Sequence, residues 1–132
     1  MIDQQLKLLT RMAGSDGEID DSELKLIRNL GTAHGLKEEE IAEIIKEPQG
    51  EIVYEHLSED ERFDYLYNLV HLMKVDGEVY NQEIEYCERI AKKLGYQLAA
   101  IYEIYPHVHP RVKIPGEIRK LRQTVAKFLV KK

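Results

Sequence analysis

The chain repeats itself. Asp16-Gly17-Glu18-Ile19 returns as Asp76-Gly77-Glu78-Val79, 60 positions later. The same offset relates Glu23 to Glu83, Leu24 to Ile84, Leu30 to Ile90 and Gly35 to Gly95. Ahead of the turn it relates Leu6 and Leu9 to Leu66 and Leu69. A matched turn with matched apolar positions on both sides means that one unit has been used twice. Two copies make a pseudo-symmetric domain, because an open solenoid needs about three or more.

Each copy reads as two helices joined by an acidic turn. In the first, Ile2, Leu6, Leu9 and Ala13 recur at helical spacing. Gly17 permits the positive φ that helix ends often adopt, and Asp20 with Glu23 forms a capping box for the next helix. That helix presents Leu24, Ile27 and Leu30 and ends near Gly35. The second copy opens on the capping box Ser58 to Glu61, buries Leu66, Leu69, Val70 and Met73, and continues with Ile84, Cys87, Ile90 and Leu94 up to Gly95. Tyr80 stands where Asp20 caps the first copy, so Asn81 is expected to cap instead, one residue later. A shorter helix follows each unit, 37–46 and 97–105, and three prolines mark 106–115 as a connector. A last helix, about 116–131, shows Ile118, Leu121, Val125 and Phe128 on one stripe. The expected fold is an all-α single domain over 1–132: a bundle of about seven helices, with repeat one about 2–47, repeat two about 58–105 and the last helix appended.

At 132 residues and 43% apolar content, one buried core is feasible. The single Cys87 excludes an internal disulfide and suits a reducing compartment. No stretch approaches the roughly 20 apolar residues of a membrane span, and no secretory pattern is visible, so a cytoplasmic location is expected, with membrane association only at a surface. The net charge of −5 is divided unevenly: residues 1–110 carry −12 and residues 111–132 carry +7. Such a body repels nucleic acid, while its basic end attracts anions.

The acidic turns are where chemistry is expected. Glu23 falls in the first turn of its helix, so its carboxylate can point back at the loop. Asp16 lies near the negative end of the preceding helix, where backbone N–H groups or a cation must offset its charge. The spacing matches the second half of an EF-hand loop, but the first and third positions would be Met12 and Gly14 in one copy and Leu72 and Lys74 in the other. None supplies a side-chain oxygen, so an ordinary EF-hand calcium site, lacking two of its ligands, is not expected. Two readings of the acids stand side by side: helix capping without any ion, and a divalent-cation site shared by the two turns.

Two copies of Asp-Gly-x-Ile/Val followed by Glu, in an all-helical chain of this length, resemble the tellurite-resistance TerB-like family, related domains of which occur at the N-terminus of a membrane-anchored DnaJ-like cochaperone. The resemblance covers about residues 2–105 and leaves out the basic C-terminal segment. It implies a bundle of about seven helices in a bacterial protein. It also implies a divalent-cation site formed by the acidic turns and a role in metal or stress responses through protein partners. The positions that would carry the ion are Asp16, Glu23, Asp76 and Glu83, with Ca2+ or Mg2+ favoured over Zn2+. Tyr80, in place of a polar cap, departs from the pattern and sets the two halves apart.

Other features point to structure more than to chemistry. His107-Val108-His109 could aim both rings to one side but sits in the proline-flanked connector, and His34, His56 and His71 are expected on partly buried helix faces. Cys87 takes the core position of Ile27. No phosphate-binding glycine loop, nucleophile elbow or zinc-protease helix occurs, so no enzyme is expected; a hydrolase using the paired carboxylates is the remote case. Arg111, Lys113, Arg119, Lys120, Arg122, Lys127, Lys131 and Lys132 surround the stripe of the last helix. They allow an alternative function, an adaptor touching a membrane, nucleic acid or an acidic protein, although a helix docked on its own acidic body is the simpler account.

Overall fold

A computed structural model of the protein describes residues 2–15, 19–75, 81–109 and 114–130. Seven α-helices are present among them: α1 Ile2–Ala13, α2 Asp21–Ala33, α3 Glu38–Lys46, α4 Glu59–Lys74, α5 Asn81–Lys93, α6 Ala99–Ile104 and α7 Pro115–Val125. They form one compact all-α domain, and the described residues contain no sheet. The helices α1, α2 and α3 correspond in order to α4, α5 and α6.

Local chemistry sets the helix ends, and the C-terminal ends of α2 and α5 are alike in both copies. Asp20 Oδ1 accepts the N–H groups of Ser22 (3.0 Å) and Glu23 (3.4 Å), and Ser58 Oγ accepts that of Glu61 (3.1 Å). Gly35 and Gly95 end α2 and α5 at φ 86° and 92°, a region costly for any residue with a Cβ. Past each glycine the next N–H folds back, Leu36 onto the Gly31 carbonyl (3.0 Å) and Tyr96 onto the Ala91 carbonyl (2.9 Å). The helix α5 starts at Asn81, in register with α2 at Asp21, so Asn81 lies inside the helix where it was expected to cap it.

The core lies where α1 and α4 pack together. The helix α4 buries residues on every side, Phe63, Tyr65, Leu66, Tyr67, Leu69, Val70, Leu72 and Met73 among them. It is the central helix, which is why it lacks the one-sided pattern of α1. A buried hydrogen bond from the Asn68 amide to Gln5 ties α4 to α1. Against this pair rest Ile27 and Leu30 of α2, with Cys87 and Ile90 at the matching positions of α5. Burial pushes the Cys87 thiol up to about 12, so it remains a neutral packing group.

Side chains, not regular structure, hold the link between the copies. Arg11 donates to the carbonyls of Pro48 (2.7 Å) and Gly50 (2.5 Å), and Gln4 exchanges two bonds with the Val53 backbone (2.8 and 3.3 Å). Arg62 donates to the carbonyls of Leu57 (3.1 Å), Leu94 (2.6 Å) and Tyr54 (3.4 Å), fastening link, α4 and the end of α5 at one point.

Three expectations need correction. The last helix stops at Val125, where about 131 was expected, and passes into a 3-10 turn Ala126–Phe128. The backbone beyond is taken by a different partner: Gln97 N–H bonds the Phe128 carbonyl (2.8 Å) and Val130 N–H the Gly95 carbonyl (2.6 Å), around an isolated bridge between Tyr96 and Leu129. The helix expected at 97–105 is shorter, Ala99–Ile104, with Tyr105–His107 as a 3-10 turn containing Pro106. Finally, His71 is buried, but His34 and His56 are exposed, at the C-cap of α2 and in the link.

Candidate functional site

Glu23 and Glu83 are each the third residue of their helix, α2 and α5. At that position a glutamate normally closes a capping box at the surface. Here both are buried, with 4% and 2% of their surface exposed, and are more deeply buried than their apolar neighbours Leu24 and Ile84. The first turns of α2 and α5 point their glutamates inward, and the two carboxyls meet in a side-chain hydrogen bond.

Ionised carboxylates only accept, so a hydrogen bond between two of them requires a proton. Burial is the main force pushing the Glu23 carboxyl up from 4.5 to about 8. The hydrogen bond to Glu83 and that group's negative charge push in the same direction, as does the Asp20 charge, while the Asp20 N–H opposes them. Glu23 Oε1 receives that N–H at 3.4 Å and so serves as a cap. Its other oxygen, Oε2, is buried and receives no N–H or hydroxyl among the described residues. Capping therefore occupies one side of Glu23 and leaves the other for the second carboxyl.

Of the four expected ion-binding positions, Glu23 and Glu83 are brought together; Asp16 and Asp76 lie outside the described residues. Among the described residues, no group of three or more His, Cys, Asp or Glu is arranged to hold a metal ion. A buried carboxyl pair is material that a hard cation can use once both groups are ionised, and the two glutamates fit that purpose as far as a pair can. The sequence pointed Glu23 back at its loop and brought the two turns to one shared site, but the inward turn of both glutamates onto each other was not read from it. The signal present was their exact repeat spacing.

The remaining candidates lie elsewhere. His107 and His109 flank buried Val108 and both approach Glu117 Oε1, at 3.9 and 3.2 Å, on an exposed surface. Arg122 of the basic last helix faces inward over the Phe63 ring (5.4 Å) and lies 3.8 Å from both Asp60 and Asp64 of α4. Arg119, Lys120 and Lys127 are exposed, and Arg111, Lys113, Lys131 and Lys132 lie outside the described residues. No helix among the described residues is long and apolar enough to cross a membrane.

No family model, no curated protein and no solved structure matches the chain.

Proposed function

We propose that the chain is a non-enzymatic, TerB-like interaction module whose acidic turns bind a divalent cation, Ca2+ or Mg2+ before Zn2+. The ligands would be Glu23 and Glu83, joined by Asp16 and Asp76 from the turns that precede them. The observation that carries this reading is the buried contact between Glu23 and Glu83, one from each copy of the repeat. Two facing carboxylates reach charge balance in one of two ways, by keeping a proton or by sharing a cation. A cation would supply positive charge that both carboxylates can accept while ionised, clamping the start of α2 to the start of α5. That clamp would stiffen a surface offered to a protein partner, in a cytoplasmic metal or stress response of a bacterium.

A catalytic role has less support. Two clefts of the described surface, of about 710 and 400 Å³, are lined by residues other than Glu23 and Glu83. The alternative, a basic C-terminal helix that contacts a membrane, nucleic acid or an acidic protein, draws on exposed Arg119, Lys120 and Lys127. It ranks second because Arg122 is directed at acids of its own chain.

The test is calorimetric titration of chelator-treated protein with Ca2+, Mg2+ and Zn2+, repeated on Glu23→Gln and Glu83→Gln. Binding with a raised melting temperature, lost in either variant, supports the reading. No heat and no thermal shift at roughly millimolar ion would end it, since that is the weak limit of useful calcium sites.

A further inference from the structure

A second site of opposite character lies on the same molecule. Between α1, α5 and the link is a cleft of about 400 Å³, bordered by Arg11, Glu51, Tyr54, Tyr86, Arg89 and Lys93. Three cations and one acid line it, on a body that carries −12 over residues 1–110. Lys7 stands one helical turn before Arg11 and its ammonium lies near Gly50, whose φ of 121° bends the link past it.

The cations are arranged in two tiers. Arg11 is fixed: its guanidinium is held by the Pro48 and Gly50 carbonyls, and it also meets the Tyr86 hydroxyl. Arg89 and Lys93 are exposed and one turn apart on α5. Each rests against an aromatic ring of the cleft wall, Arg89 over Tyr86 at 5.5 Å and Lys93 over Tyr54 at 6.0 Å. Among the described residues, no carboxylate lies within ion-pair distance of either. Cations at helix C-terminal ends are favoured one at a time by the helix dipole, which accounts for Arg11 and Lys93 singly. It does not account for their opening onto one cleft together with Arg89 and two tyrosines.

We propose that this cleft binds a phosphate ester or diphosphate group, with Arg89 and Lys93 closing on the anion above the fixed guanidinium of Arg11. The excess of positive charge suits a group with two negative charges, and the planar fork of arginine matches phosphate oxygens two at a time. A cleft of this size admits a small ligand. The binding elements are side chains from three parts of the chain, so no glycine-loop motif is required. The site is independent of the acid pair and uses none of its residues.

Pyrophosphate, titrated calorimetrically into the 132-residue chain in metal-free, low-salt buffer, tests this. One site is expected, weakening as salt rises. The double variant Arg89→Ala/Lys93→Ala, checked for an unchanged melting temperature, should weaken binding at least about tenfold, since two charge-assisted bonds are lost. Glu51→Gln should tighten it by about threefold by removing the one negative wall. Vesicles containing phosphatidic acid locate the source of the phosphate: sedimentation with them, reversed by pyrophosphate, assigns a lipid headgroup, and pyrophosphate binding without sedimentation assigns a soluble ester. Absence of pyrophosphate binding, or binding that the double variant retains in full, overturns the proposal.

Discussion

The carboxyl of Glu23 shares a hydrogen bond with that of Glu83, although the two open different helices and stand 60 residues apart in sequence. The contact has a direct consequence for stability. Folding pushes the Glu23 carboxyl up from 4.5 to about 8, chiefly because it is buried and then because Glu83 faces it. The folded state therefore binds the proton more tightly, so the group's contribution is complete below 4.5, declines as pH rises and is gone above about 8. In metal-free urea unfolding, the midpoint should fall across that window, and Glu23→Gln, which keeps a neutral side chain at every pH, should flatten the fall. A slope identical in the variant and the parent would contradict the shared proton.

Packing between α2 and α3 depends on Gly31. A Cβ there would stand 2.8 Å from both Cγ1 and Cδ1 of Ile41 and 3.1 Å from Leu6 Cδ1. The matching residue of the second copy is Ala91, fully buried, so the helix itself accepts alanine and the obstacle is the neighbour. Gly31→Ala should cost about 1–3 kcal/mol by overpacking, in excess of the helix propensity it gains. Adding Ile41→Ala should recover part of that loss relative to Ile41→Ala alone, a coupling that thermal unfolding of the four proteins measures.

Arg62 serves three carbonyls at once, those of Leu57, Leu94 and Tyr54. Arg62→Ala leaves all three to find other donors and should destabilise by about 3 kcal/mol. Arg62→Lys should recover little, because an ammonium on a single stem cannot reproduce the planar fork. Chemical denaturation gives both values, and near-full stability of the lysine variant would show that charge alone is what matters there.

The helices were legible because they rest on relations within a few residues: Asp20 to Glu23, Ser58 to Glu61, Gly35 folding Leu36 back, Gly95 folding Tyr96 back. The duplication was legible for a similar reason, since a fixed offset needs only the letters. The buried positions of Leu6, Leu9, Ile27, Leu66 and Cys87 followed from helical spacing. The burial of α4 on its other sides, at Phe63, Tyr65, Tyr67 and Leu72, did not, because a helix surrounded on all sides has no single face to read. The end of α7 was missed because the backbone that follows it, at Phe128 and Val130, bonds Gln97 and Gly95, some 30 residues earlier in the chain.

Residue types and their spacing by themselves determined an all-helical, duplicated chain with acidic turns and a basic end, because capping and amphipathic periodicity act over one or two helical turns. Only the tertiary structure decided that Glu23 and Glu83 turn inward to face each other, and that Arg11, Arg89 and Lys93 open onto one cleft. The physical reason is common to both. Whether a charged side chain meets water, a like charge or an opposite one depends on which helices the core draws together, and apolar burial, which has no direction of its own, makes that choice without regard to distance along the chain.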